Sequence, residues 1–83
     1  MSIADQIRHH VIQNYVNPAR VKNRWYVIVQ AGDVHEELHL VANHPNVCQT
    51  LDGQMFMQQA NVRLVERSGP PQSSTVEWVF AVK

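Results

Sequence analysis

Five residues, His35–Glu36–Glu37–Leu38–His39, hold the strongest chemical potential in the chain. Two histidines at i and i+4 of a helix project from one face and can grip one zinc ion. A glutamate beside the first can polarise a water bound to that ion. The same stretch has a structural reading. Gly32–Asp33 precedes it, Asp33 suits a helix N-cap, and Glu36, three residues on, completes a variant of the capping box. One reading makes the chain a zinc-dependent hydrolase. The other makes the stretch the start of a short scaffold helix with His35 and His39 on its exposed side.

A catalytic zinc site needs a third protein ligand. His44 is the nearest candidate, but it stands nine residues after His35 in HEELHLVANH. The metzincin pattern, H-E-x-x-H-x-x-G-x-x-H, places its third histidine ten residues after the first with a glycine between. Spacing and turn chemistry both differ here. The scaffold reading is therefore preferred, with no catalytic residue, no metal and no cofactor assigned. Cys48 lies one helical turn after His44. A thiol so placed at a helix start is reactive if exposed, but Cys48 falls on an apolar stripe and reads as a small core residue. Gly32, Gly53 and Gly69 are too scattered to build a phosphate-binding loop.

Eighty-three residues, 45% of them hydrophobic and 17% charged, describe one globular domain spanning 1–83. That composition is too apolar for disorder and too interrupted for a membrane span. Met1–His10 has early charges and no continuous apolar segment, so no signal peptide is expected. The single cysteine cannot form an internal disulfide, which suits a reducing, cytoplasmic setting. Seven basic and seven acidic side chains cancel. Any positive patch must come from distribution: Arg20, Lys22 and Arg24 are close in sequence, and Arg63 and Arg67 flank a second segment.

The elements that would position these residues follow from periodicity. Ser2 and Asp5 mark a helix start. Ile3, Ile7, Val11 and Tyr15 share one face, predicting a helix over 3–16 that Asn17–Pro18 ends. Arg20–Arg24 reads as a connection. Trp25–Val29 suits a strand, apolar and covered on both faces. Val34, Leu38 and Val41 mark a short second helix. Pro45 opens a third, whose buried stripe is Val47, Cys48, Leu51 and Met55, with Gly53 ending or bending it before Gln54–Ala60. Asn61–Arg67 and Thr75–Lys83 alternate around the breaker-rich Ser68–Ser74, which predicts an antiparallel hairpin. Trp25 and Trp78 sit in apolar runs, and both read as core residues rather than stacking platforms for bases.

The order helix, strand, helix, helix, strand, long loop, strand resembles the winged-helix fold. That is an α+β fold of three or four short helices in which a helix-turn-helix is backed by a small antiparallel sheet. The likeness is one of topology. Val34–Leu40 would match the first helix of the helix-turn-helix, Asn46–Leu51 and its continuation the recognition helix, and Gly69–Ser74 the wing. The turn of Val41–Pro45 is longer than the tightest such turns.

The resemblance implies a double-stranded DNA-binding module, a transcriptional regulator or an accessory subunit, acting alone or as a homodimer. Asn46, Gln49 and Thr50 would face the major groove, where Asn and Gln can pair with adenine edges. His44 would meet a phosphate at the helix N-terminus. Arg63, Arg67, Gln72 and Ser73 would touch the backbone or minor groove, and Arg20, Lys22 and Arg24 would add phosphate contacts. The alternative on the same scaffold is a protein-interaction module.

Overall fold

A computed structural model of the chain describes residues 2–41, 43–70 and 73–83, with His44 described in its backbone alone. It shows an α+β architecture with helices packed on one face of a three-stranded antiparallel sheet of order β1-β3-β2.

Helix α1 spans Ile3–Val11, and Ser2 caps it by accepting the Asp5 N–H at 3.1 Å. Ile7 and Val11 are buried as the spacing of four requires. The rod does not stop at Asn17–Pro18. A π-helical segment, Ile12–Val16, follows, in which the Asn17 N–H reaches back five residues to the Ile12 carbonyl. Pro18 then occupies the opening turn of α2, Asn17–Val21, where its missing N–H is tolerated. The expected connection Arg20–Arg24 is thus helical at its start. It closes with Asn23 in the left-handed conformation, and the Arg24 N–H donates to Ala19 at 2.9 Å.

Strand β1 spans Tyr26–Gln30, one residue later than expected, and only one of its faces is covered. Val29 is buried, whereas Trp25, Tyr26 and Ile28 are 64%, 54% and 59% exposed. The core reading of Trp25 is therefore corrected. That of Trp78 holds, at 0% exposure.

Helix α3 spans Ala31–Glu37, earlier at both ends than the motif suggested. Its N-cap is Gln30 rather than Asp33, and no side chain caps it. The N–H groups of Ala31 and Gly32 donate instead to the Val76 and Ser74 carbonyls at 2.8 and 2.9 Å. The turn that leads into the last strand thus satisfies donors that a capping side chain would have taken. Gly32 permits the approach, since a Cβ there would sit 2.9 Å from the Ser74 carbonyl oxygen. Val34 is buried and Leu38 packs against the core, but Val41 is exposed and belongs to no helical face.

Helix α4 spans His44–Asp52 and buries Val47, Cys48 and Leu51. Gly53, in extended conformation, ends it and serves as N-cap of α5, Gln54–Ala60. That break turns the stripe: Phe56 is buried in place of Met55, which is exposed. Strands β2, Arg63–Ser68, and β3, Glu77–Ala81, form the expected antiparallel pair, with an irregularity between Leu64 and Glu66. Val76, Trp78, Phe80 and Val82 are all buried, and the Phe56 and Phe80 rings lie 5.1 Å apart. Each such large apolar side chain contributes roughly 1.5–3 kcal/mol by leaving water. Among the described residues no helix is long and apolar enough to cross a membrane.

Candidate nucleic-acid interface

The outward face of α4 begins at Asn43, its N-cap, whose side-chain oxygen accepts from the Asn46 amide at 3.0 Å. Asn46 and Gln49 are exposed one turn apart. Thr50 is buried, at 9% exposure, and packs inward. Its position beside the core stripe, between Val47 and Leu51, explains this, and it leaves the expected groove-facing set. His44 stands at the first position of α4, and its side chain lies outside the described residues.

The hairpin loop is fastened to this helix at its root. The Cys48 thiol points at the Ser73 carbonyl at 3.7 Å, and the Ser73 hydroxyl pairs with that of Thr75 at 2.9 Å. Cys48 is buried, in keeping with a core residue. Gln72 lies outside the described residues.

The expected arginines do not converge beside α4. Arg67 donates to Asp52 at the C-terminal end of α4, at 2.8 Å, and its guanidinium lies 5.9 Å from the Trp78 ring centroid. Arg20 donates through Nε to the Val82 carbonyl at 3.2 Å and through its terminal amino group to the Asn61 carbonyl. It ties α2 to the ends of α5 and of the sheet. Arg63 pairs in register with Ala81, and Ala81 with Tyr26, so Arg63 lies at the end of the sheet away from the hairpin loop. The Trp25 carbonyl accepts the Val82 N–H at 2.9 Å, which holds Lys22 and Arg24 at that same end. Sequence spacing could not show this separation, because it follows from strand register.

The geometry of the histidine pair also departs from the motif. Helix α3 stops at Glu37, and His39 adopts φ 54° in the left-handed region. The His39 N–H donates to Glu36 and the Leu40 N–H to His35, the two bonds of a Schellman ending. His39 therefore sits past the helix, and the one-face argument for a shared ion no longer applies. His35 Nε2 accepts the Asn43 N–H at 3.1 Å. Among the described residues no group of three or more His, Cys, Asp or Glu is placed to hold a metal.

The motif's second glutamate has a role that sequence reasoning missed. The Glu37 carboxylate accepts the Tyr15 hydroxyl, 2.9 Å from each oxygen, and lies 2.6 Å from His10 Nε2. This joins the π-helical segment to the end of α3. Burial, helped by the Glu37 hydrogen bond and charge, pushes the Tyr15 phenol well above its ordinary range. Asp5, Arg8, His9, Ile12 and Gln59 line an open groove of about 420 Å³. Arg8 bonds Asp5 there and holds that carboxyl below its usual value. Comparison with known proteins yields no matching family model, no matching curated protein and no matching solved structure.

Proposed function

We propose that this chain is a winged-helix module that binds double-stranded DNA. Helix α4 lies in the major groove, and the loop between β2 and β3 rests beside it as the wing. The element order and the sheet order β1-β3-β2 support this reading. The observation that carries it is the pair Asn46 and Gln49, exposed on the helix that anchors the root of the loop through Cys48 and Ser73. Asn and Gln side chains can make two hydrogen bonds to an adenine edge, and an uncharged face reaches base edges without long basic stems in the way. A neutral chain whose Arg67 is paired internally makes few phosphate contacts. Its DNA binding would show a shallow salt slope, about −1 to −3 on logarithmic axes.

The internal use of Arg20 and Arg67 gives a second reading its footing. An uncharged α4 face also suits a protein partner. Fluorescence anisotropy with a random pool of duplex DNA, followed by selection from that pool, separates the two. Enrichment of A-containing sites, with affinity reduced about tenfold by Asn46→Ala with Gln49→Ala, supports the duplex reading. No enrichment and no binding at low salt would leave the protein-interaction reading in its place.

A further inference from the structure

The end of the sheet remote from the hairpin loop carries an arrangement that the α4 reading does not use. Strand register brings Tyr26, Ala81 and Arg63 into one row there. Trp25 precedes Tyr26 and is 64% exposed, and Lys83 Nζ lies 5.1 Å from the centroid of its ring. Lys22 and Arg24 are exposed on the turn that leads into the strand. Among the described residues none of Lys22, Arg24, Arg63 or Lys83 forms an ion pair with a carboxylate.

The charge is segregated in two ways. No Asp or Glu occurs between Asp5 and Asp33, so the chain feeding this corner is free of acids. On the sheet, Glu66 pairs with Val79 and Glu77 with Gln30, both further along toward the loop. A molecule of zero net charge thus presents a locally cationic corner around one exposed indole.

We propose that this corner binds single-stranded nucleic acid, with Trp25 stacking on a base and Lys22, Arg24, Arg63 and Lys83 meeting the phosphates. Aromatic platforms among cations hold unpaired strands without needing a base-specific contact, because every base offers a π-face. Lys83 lies against the indole and stabilises it through a cation–π contact. A polyanion fits the charge. A lipid surface fits less well, since the segment is a tight turn with Asn23 in left-handed conformation rather than a helix with a broad apolar face. The site shares no residue with the α4 face and does not depend on the duplex reading.

The chain's two tryptophans make the test direct. Trp78 is buried and bonded to Asp52, so a quencher that stacks on an exposed ring reports Trp25. Intrinsic fluorescence is titrated with oligothymidylate at low salt, with the whole chain. Quenching that saturates is expected, with affinity falling as salt rises. By anisotropy with a labelled oligothymidylate, Trp25→Ala should weaken binding about tenfold, and Lys22→Gln with Arg24→Gln should do so comparably while flattening the salt slope. Trp25→Phe should restore most of the affinity. Asn46→Ala with Gln49→Ala should leave it unchanged.

Absence of quenching would overturn the proposal, as would binding that Trp25→Ala does not weaken. Loss of oligothymidylate binding in the α4 variant would move the strand to that helix. A blue-shifted emission on phosphatidylserine vesicles, with no response to oligothymidylate, would assign the corner to a membrane surface.

Discussion

His35 Nε2 accepts the backbone N–H of Asn43 at 3.1 Å, closing the segment between α3 and α4 from within. An imidazole that accepts at Nε2 is unprotonated there, so this atom is occupied by the chain's own backbone. The contact sets where α4 begins, since Asn43 is its N-cap. His35→Ala should lower unfolding free energy by about 1 kcal/mol in urea titration, the typical worth of one such bond. Added zinc should leave the melting temperature of the native chain unchanged. A rise that His35→Ala abolishes would restore the metal reading.

Asp52 receives two donors through one oxygen: Trp78 Nε1 at 2.7 Å and Arg67 Nε at 2.8 Å. Trp78 is wholly buried, so removing the acceptor leaves an indole N–H without a partner. Asp52→Ala should cost about 1–3 kcal/mol by chemical denaturation. Asp52→Asn keeps an oxygen for the indole and should lose less. Equal losses would show that the ion pair with Arg67, rather than the indole bond, dominates.

Arg20 behaves as a structural tether, while Lys22 and Arg24 are exposed. Arg20→Met keeps the aliphatic stem and removes both carbonyl bonds. It should destabilise the chain by about 1–2 kcal/mol while leaving oligothymidylate affinity in the folded protein unaltered. Lys22→Gln with Arg24→Gln should show the reverse pattern. Stability within about 0.5 kcal/mol of the parent is expected for such surface changes.

The Tyr15 phenol gives the chain an alkaline limit. Its folded-state pKa lies above the ordinary value of 10.0, because burial and then Glu37 disfavour the phenolate. A group raised in the folded state contributes stability that is complete below the unfolded pKa. That contribution is lost as pH rises through the folded value. Thermal stability should therefore fall above about pH 10. In Tyr15→Phe the starting stability should be lower and this part of the fall should be absent. An identical alkaline decline in both proteins would remove Tyr15 as its cause.

Local pattern settled the faces of the longer elements. The spacing of Ile7 and Val11 marked the buried side of α1, and the alternation of Val76, Trp78, Phe80 and Val82 marked the inner side of the last strand. Ser2, Pro45 and the breaker cluster after Ser68 punctuated the chain where elements begin or end. These signals are local, because side-chain direction repeats with the backbone period. Asn23 and Asn61 carry a local signal of the same kind: both are left-handed, and Asn is a residue type that closes helices in this way.

Tertiary structure alone decided what covers each face and which partner each polar group finds. Nothing local distinguishes Trp25 from Trp78. Trp25 lies at the sheet's open end, whereas Trp78 is in the central strand beneath the helices. Asp33 had the right chemistry for a cap, yet the carbonyls of Ser74 and Val76, some forty residues on, took that role. Of the five arginines and lysines expected beside α4, strand register and the Arg20 bonds to Asn61 and Val82 hold Arg20, Lys22, Arg24 and Arg63 at the far end of the sheet, while Arg67 pairs with Asp52. Burial and pairing between distant segments depend on which surfaces the folded chain brings together, and residue spacing along one segment carries no record of that.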